Sequence, residues 1–402
     1  MLRMASWLLK HGHQVSILTA QGGFLEDSIP EKAENTIVGS SDFGACIIPF
    51  WKYPDQVVQA IKEADVVFSM SGGGCTFAYH LMRRFSPNGV LLAGVFHPNT
   101  GTTESQKHYF DHVFQHCVHD SNKVYMNEAI REIHRHRTGK LFEQSRLWAL
   151  PIDPTDNKME GGKINSSTIL SVGRLTRFKG YNWYMPDVIK ALLDAGMEAR
   201  WRVIGDDEPD TREGFKQEII DKCEALGVLD QCEFIGIVPF EKLGDEFTNA
   251  KAFVGMGTSL LAAAASGLPS IVALCDDTEG RTYGFPWEQP IGCVGEWIPS
   301  IQPERNVHSL LQEILTANRQ DYASLQEKSK VAVTQHDLDL QMEKFLGLCQ
   351  SAKRGFTTYC PPTNRFILSK TLRFGGKRLA SLIANRSTPA PTSHSLPNQV
   401  GS

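Results

Sequence analysis

The chain has 402 residues, 41% of them hydrophobic and 21% charged. That balance excludes a disordered chain, and the length excludes a disulfide-stapled mini-protein and predicts about two domains. With 41 Lys and Arg against 45 Asp and Glu the net charge is −4, which argues against nucleic acid as a partner.

Charge is unevenly spread. Nine basic residues, from Lys344 to Arg386, follow Glu343, with no acidic residue among or after them. An acidic body with a basic C-terminal segment can orient on an anionic surface. The nine cysteines are scattered without a CxxC pair and no signal-peptide pattern opens the chain, so a cytoplasmic location is expected.

In chain order, Met1–Lys10 reads as a helix, Gln14–Thr19 as a strand, and Val57, Val58 and Ile61 mark a second helix. Asp65–Met70 is a strand followed by Ser71-Gly72-Gly73-Gly74, either a tight strand-to-helix turn or a cradle for part of a substrate. Gly89–Phe96 is an apolar strand ending in His97-Pro98, and Ser121 is the expected cap of a helix running through residues 126–136. A Rossmann unit ordinarily starts with a strand whose tip loop feeds the first helix. Here a helix comes first, so the N-terminal domain is expected to lack its first strand and glycine-rich loop. Pro151 and Pro154 flank a change of unit near residue 152.

The second half alternates more clearly. Strands are expected at Thr168–Val172, Arg200–Ile204, Glu233–Val238, Ala252–Met256 and Ser270–Leu274, with glycine-ended helices between them. Apolar rather than alternating strands in a βαβ rhythm mean a doubly wound parallel sheet. Ala252–Cys275 contains no charge and is long enough to cross a bilayer. Gly255, Gly257, Gly267 and Pro269 break it into strand, helix and strand, the preferred reading. The expected fold is therefore α/β, two Rossmann-like domains facing across a cleft. They cover residues 1–152 and 153–330, followed by helices with a basic segment over 331–386 and a disordered Pro/Ser-rich tail over 387–402.

Four segments gather at the carboxyl edge of the second sheet. Gly173, Arg174, Lys179 and Gly180 follow the first strand; Arg174 can fork onto phosphate oxygens and Lys179 can add a point charge. Solvated loop cations are the competing reading. Gly257, Thr258 and Ser259 open a helix whose free N–H groups suit an anion, although an N-cap with close packing explains the same residues. Gly205 and Asp206 end the second strand. Ile237 and Val238 follow the third, where backbone groups can meet a base.

Together the runs SVGRLTRFKGYN, VIGDD, EFIGIVPFEKL and MGTSLLAAAASGLPSIVA resemble, over about residues 165–275, the C-terminal domain of family-4 retaining glycosyltransferases of the GT-B fold. The segment GVLLAGVF with His97-Pro98 is similar to the acceptor side of bacterial members. The resemblance implies a nucleotide sugar as co-substrate, with no cofactor and no metal. It implies that Arg174 and Lys179 hold the diphosphate with the N–H groups of Thr258 and Ser259, and that His97 faces the reacting sugar. Surface-polysaccharide or lipopolysaccharide biosynthesis, with a glycan or lipid-linked acceptor, is the implied setting. The family's ribose-binding glutamate falls at Ala262, and an earlier family glutamate at Val254. That departure keeps open an alternative function: a catalytically impaired glycosyltransferase-like protein that binds glycan or a partner enzyme.

Three further features carry weaker signals. His108, His112, His116 and His119 recur at spacings of 4, 4 and 3, but without an HExxH pattern a polar face is favoured over a metal site. Glu279 and Glu288 flank an aromatic, Pro-containing loop, a candidate cleft lining. The basic, partly apolar segment Arg365–Arg386 can lie on an anionic membrane or pack on the body as a C-terminal helix. The membrane reading makes the protein peripheral at the inner face of the plasma membrane through residues 361–386.

Overall fold

The structure, a computed structural model, describes residues 1–20, 29, 33–38, 52–98, 100, 112–153, 161–207, 214–239 and 242–358. The basic segment after residue 358 and His108 lie outside them.

The C-terminal lobe holds five parallel strands: β7 Thr168–Val172, β8 Arg200–Ile204, β9 Cys232–Gly236, β10 Ala252–Gly255 and β11 Ser270–Val272. Their order is β11-β10-β7-β8-β9, with every pairing parallel. This is the doubly wound order in which direction of winding reverses between β7 and β10, the place where such sheets take ligands. Helices α5 Tyr181–Asp194 and α6 Phe215–Ala225 cross over between the first three strands, and α7 Leu243–Asn249 and α8 Gly257–Ala265 flank β10. The uncharged run 252–275 is thus strand, helix and strand. Among the described residues no helix is long and apolar enough to cross a membrane.

The N-terminal lobe begins with α1 Leu2–Lys10 and has two parallel sheets. One pairs β1 Ser16–Ala20 with β2 Glu34–Val38. The other runs β3 Val66–Ser69, β4 Val90–Val95, β5 Lys123–Tyr125 and β6 Arg146–Leu147. The first helix touches both pieces: Ala5 packs with Ile17 of β1, and Met4 and Trp7 pack with Val90 and Leu92 of β4. Among the described residues the β1–β2 pair and the β3–β6 sheet are separate. All six residues of β4 are buried, as a central parallel strand requires.

Between these strands lie α2 Asp55–Glu63, α3 Gly72–Phe85 and α4 Glu128–Thr138. The Ser71 glycine run forms the strand-to-helix turn at the start of α3, with Ser71 Oγ accepting from Gly74 N at 3.1 Å. Ser121 is not a helix cap. Residues 120–122 form a single 3₁₀ turn and lead into β5, while Asn127 Oδ1 caps α4 by accepting from Ile130 N at 2.8 Å.

After α9 Val307–Thr316 and α10 Arg319–Ala332, α11 Leu338–Ser351 returns to the N-terminal lobe. Met342 and Phe345 of α11 join the α1 and β4 core, and Trp148 Nε1 donates to Gln341 O at 2.8 Å. The chain passes between lobes twice, side by side. Ile152 N donates to His336 O at 2.8 Å, and Ile152 pairs with Asp337 in a parallel bridge.

Candidate active site

Three strand ends and one helix tip converge at the switch point. Past β7 the chain turns at Gly173, whose φ of +151° suits glycine. A Cβ there would lie 2.0 Å from Lys179 Nζ, because the lysine folds back over the turn. Gly205, at the end of β8 with φ +138°, sits so close to Gly173 that a Cβ would lie 2.0 Å from Gly173 O. Leu175 N donates to Asp206 O at 2.9 Å, pinning the loop that carries Arg174 and Lys179 against β8.

The tip of α8 closes the site. Ser259 Oγ donates to Val172 O at 2.9 Å and ties the first helical turn to the end of β7. Gly257 has φ +65° and its N–H is taken by Val294 O at 2.7 Å. No side chain caps this helix, and Thr258 is exposed at its start.

The cations feel one another. Burial pushes the Lys179 ammonium down to about 8, with the Arg174 charge adding to the effect. His97 comes from the other lobe and stacks its ring on Phe178, centroids 4.6 Å apart. Burial, then the charges of Arg174 and Arg137, lowers the His97 pKa, so the imidazole is neutral at pH 7. Arg137 of α4 holds this corner, with Nη1 on Thr100 O at 3.1 Å and Nη2 on Pro98 O.

Most of the residues singled out from sequence are therefore brought together: His97, Gly173, Arg174, Lys179, Gly205, Gly257, Thr258 and Ser259. The other four have surroundings of their own. Asp206 lies at the right edge, but its carboxylate is paired with Lys216 Nζ at 3.2 Å. Ile237 is 79% exposed at the end of β9, and Val238 is packed against the core. Ala262 is only 4% exposed, its methyl absorbed in the apolar cluster that includes Leu260 and Leu261.

His112 and His116 lie within a helical stretch, rings 4.8 Å apart, and no group of three candidate metal ligands occurs among the described residues. Of the loop glutamates, Glu288 pairs with Arg305 and Glu279 with Arg281.

Sequence reasoning missed Phe178, Arg137, Asn127 and Glu296. Phe178 was detectable as the aromatic between two site cations. Asn127 directly before the helical EAIREI run carries a cap signal. Nothing local marks Arg137 or Glu296, whose partners are distant in sequence.

Residues 166–285 match the family described as Glycosyl transferases group 1. No curated protein matches the chain. Solved structures match over most of its length. Anabaena Alr3699/HepE in complex with UDP and glucose aligns with a TM-score of 0.64 at 12% identity, covering 87% of this chain and 95% of that one. Sucrose-phosphate synthase from Thermosynechococcus elongatus gives 0.61 at 12% identity, covering 87% and 91%. The apo lipopolysaccharide outer core galactosyltransferase WaaB gives 0.51 at 16%, covering 81% and 87%. At these identities the structures establish the fold. The chain has a two-domain, Rossmann-like GT-B fold, within which residues 166–285 are similar to the Glycosyl transferases group 1 family.

Proposed function

We propose that the protein transfers a glycosyl group from a nucleotide sugar to a glycan or lipid-linked acceptor in surface polysaccharide biosynthesis, with retention at the anomeric carbon. The observation that carries this reading is the convergence of Arg174, Lys179 and the α8 tip below His97 of the opposite lobe. On this reading the sugar–phosphate bond breaks and its electron pair leaves with the nucleoside diphosphate. Two cations and the helix N–H groups, already in place, stabilise the growing negative charge. The acceptor oxygen attacks the anomeric carbon from the leaving-group face, and its proton passes to the departing phosphate. Neutral His97 covers the sugar from the N-terminal lobe, with its ring backed by Phe178 of the C-terminal lobe. Charge at the leaving group comes from side chains and backbone, so neither metal nor cofactor enters this scheme.

Calorimetric titration with UDP and GDP tests it. One of the two is expected to bind, with an affinity that falls above about pH 8, where Lys179 loses its proton in the free protein. A bound diphosphate favours the charged amine, so binding between about pH 8 and the ordinary lysine value of 10.5 takes up a proton. Absence of binding by both nucleotides removes the proposal.

The second reading, a catalytically impaired relative that binds glycan or a partner enzyme, is favoured by Ala262. An alanine forfeits a charge-assisted hydrogen bond of about 1.5–3 kcal/mol. Ala262→Glu is expected to tighten nucleotide binding by roughly ten- to a hundredfold. Turnover appearing only in that variant would establish impairment.

For the acceptor side, we infer that residues 361–386 attach the protein to the inner, anionic face of the plasma membrane. Co-sedimentation with phosphatidylserine vesicles is expected to drop when residues 361–402 are removed, and unchanged pelleting refutes the attachment.

A further inference from the structure

Glu296 is a carboxylate where the surrounding apolar run has no evident use for one. It is 3% exposed, and burial raises its pKa against the opposing pull of the Val294 N–H and the Asn127 amide. Oε2 accepts from Val294 N at 2.7 Å and Oε1 from Asn127 Nδ2 at 3.1 Å. Glu296 belongs to the C-terminal lobe and Asn127 to the N-terminal lobe.

The turn that Glu296 braces has its own task. Val294 O accepts Gly257 N at 2.7 Å, and Gly295 O accepts Cys275 N at 2.7 Å, so residues 294–295 hold the start of α8 against the sheet. Space there is tight, since a Cβ on Gly295 would lie 2.5 Å from Met256 Cβ. The preceding corner is strained, with Ile291 at φ +44°, a conformation that β-branched residues rarely adopt.

Asn127 reaches this corner because α4 leans on the other lobe. Ala129 packs with Leu274, Tyr283, Cys293 and Ile298, and Asn127 Nδ2 also donates to Gly292 O at 3.0 Å. Its Oδ1 meanwhile caps α4. One side chain therefore satisfies a helix end in its own lobe and a buried carboxylate in the other.

We propose that Asn127 and Glu296 are a positioning pair that links closure of the two lobes to the order of the α8 tip. When the lobes part, Oε1 loses its amide donor, the 294–295 turn loses its brace, and Gly257–Ser259 loosen. The effect on phosphate holding rests on the nucleotide-sugar reading above; the effect on the helix tip does not.

Asn127→Ser separates the roles, because serine retains a good cap and removes the amide donor. Amide hydrogen exchange over residues 256–262 of the nucleotide-free full chain is expected to rise about tenfold in Asn127→Ser and in Glu296→Ala. The double variant is expected to be no worse than Glu296→Ala, as for two members of one linkage. UDP or GDP affinity is expected to fall by a similar factor. Should Glu296→Ala not fold, Glu296→Gln, of the same size, takes its place in the same cycle. Unchanged exchange in Asn127→Ser, or additive effects in the cycle, overturns the pair. Loss of protection with no nucleotide bound by the parent chain overturns the nucleotide-sugar reading and leaves the pair standing.

Discussion

Replacing Lys179 with alanine is expected to lower kcat/KM for the nucleotide sugar by about 10²- to 10³-fold, the range seen when one preorganised donor to a developing anion is removed. The magnitude follows from placement. The ammonium lies over the Gly173 turn, where a Cβ would meet Nζ at 2.0 Å, so the backbone holds the charge in position before any ligand arrives. It is buried enough to bring its pKa down to about 8, which means a bound anion meets it with little intervening water. Arginine should not substitute well, because its planar fork needs room that the turn does not leave. Steady-state kinetics on Lys179→Ala and Lys179→Arg check both statements. Retention of more than a tenth of the parent activity by the alanine variant would remove Lys179 from the diphosphate hold.

Gly205→Ala is expected to cost about 3–5 kcal/mol of folding stability, measured as a lowered urea midpoint. Two penalties combine. The φ of +138° lies in a region that L-residues rarely enter, and the new methyl would meet Gly173 O at 2.0 Å, backbone that cannot swing aside. Gly196 supplies the control: its φ is +77°, and a Cβ there has nothing within 4 Å. Gly196→Ala should therefore cost only about 1–2 kcal/mol. Equal losses in the two variants would show that the Gly173–Gly205 contact bears no special strain. Any Gly205→Ala protein that survives should also bind nucleotide poorly, since the displaced oxygen belongs to the turn beneath Lys179.

The C-terminal lobe was legible because its signals are local. Buried parallel strands such as Thr168–Val172 are continuous apolar runs, and glycines end the crossover helices, so the sheet order follows from winding rules alone. The residues proposed to hold the diphosphate were legible for the same reason, since each lies just past a strand. The N-terminal lobe was harder. β5 has three residues and follows a 3₁₀ turn that sequence reasoning took for the start of a helix. The pairing of Asp206 with Lys216, ten residues on in sequence, carries no local signal. Glu296 was not singled out from the sequence. Its partner in the other lobe, Asn127, is 169 residues away in the chain, and no spacing rule reaches that far.

The paired crossing of the chain sets how the lobes can move. With Ile152 bonded to His336 and bridged to Asp337, both connectors bend as one ribbon. A ribbon flexes easily about one axis and resists twisting, so the mouth above the Gly173 turn should open like a book along its spine. On the nucleotide-sugar reading, substrates are then expected to enter and leave from the side opposite residues 152 and 336.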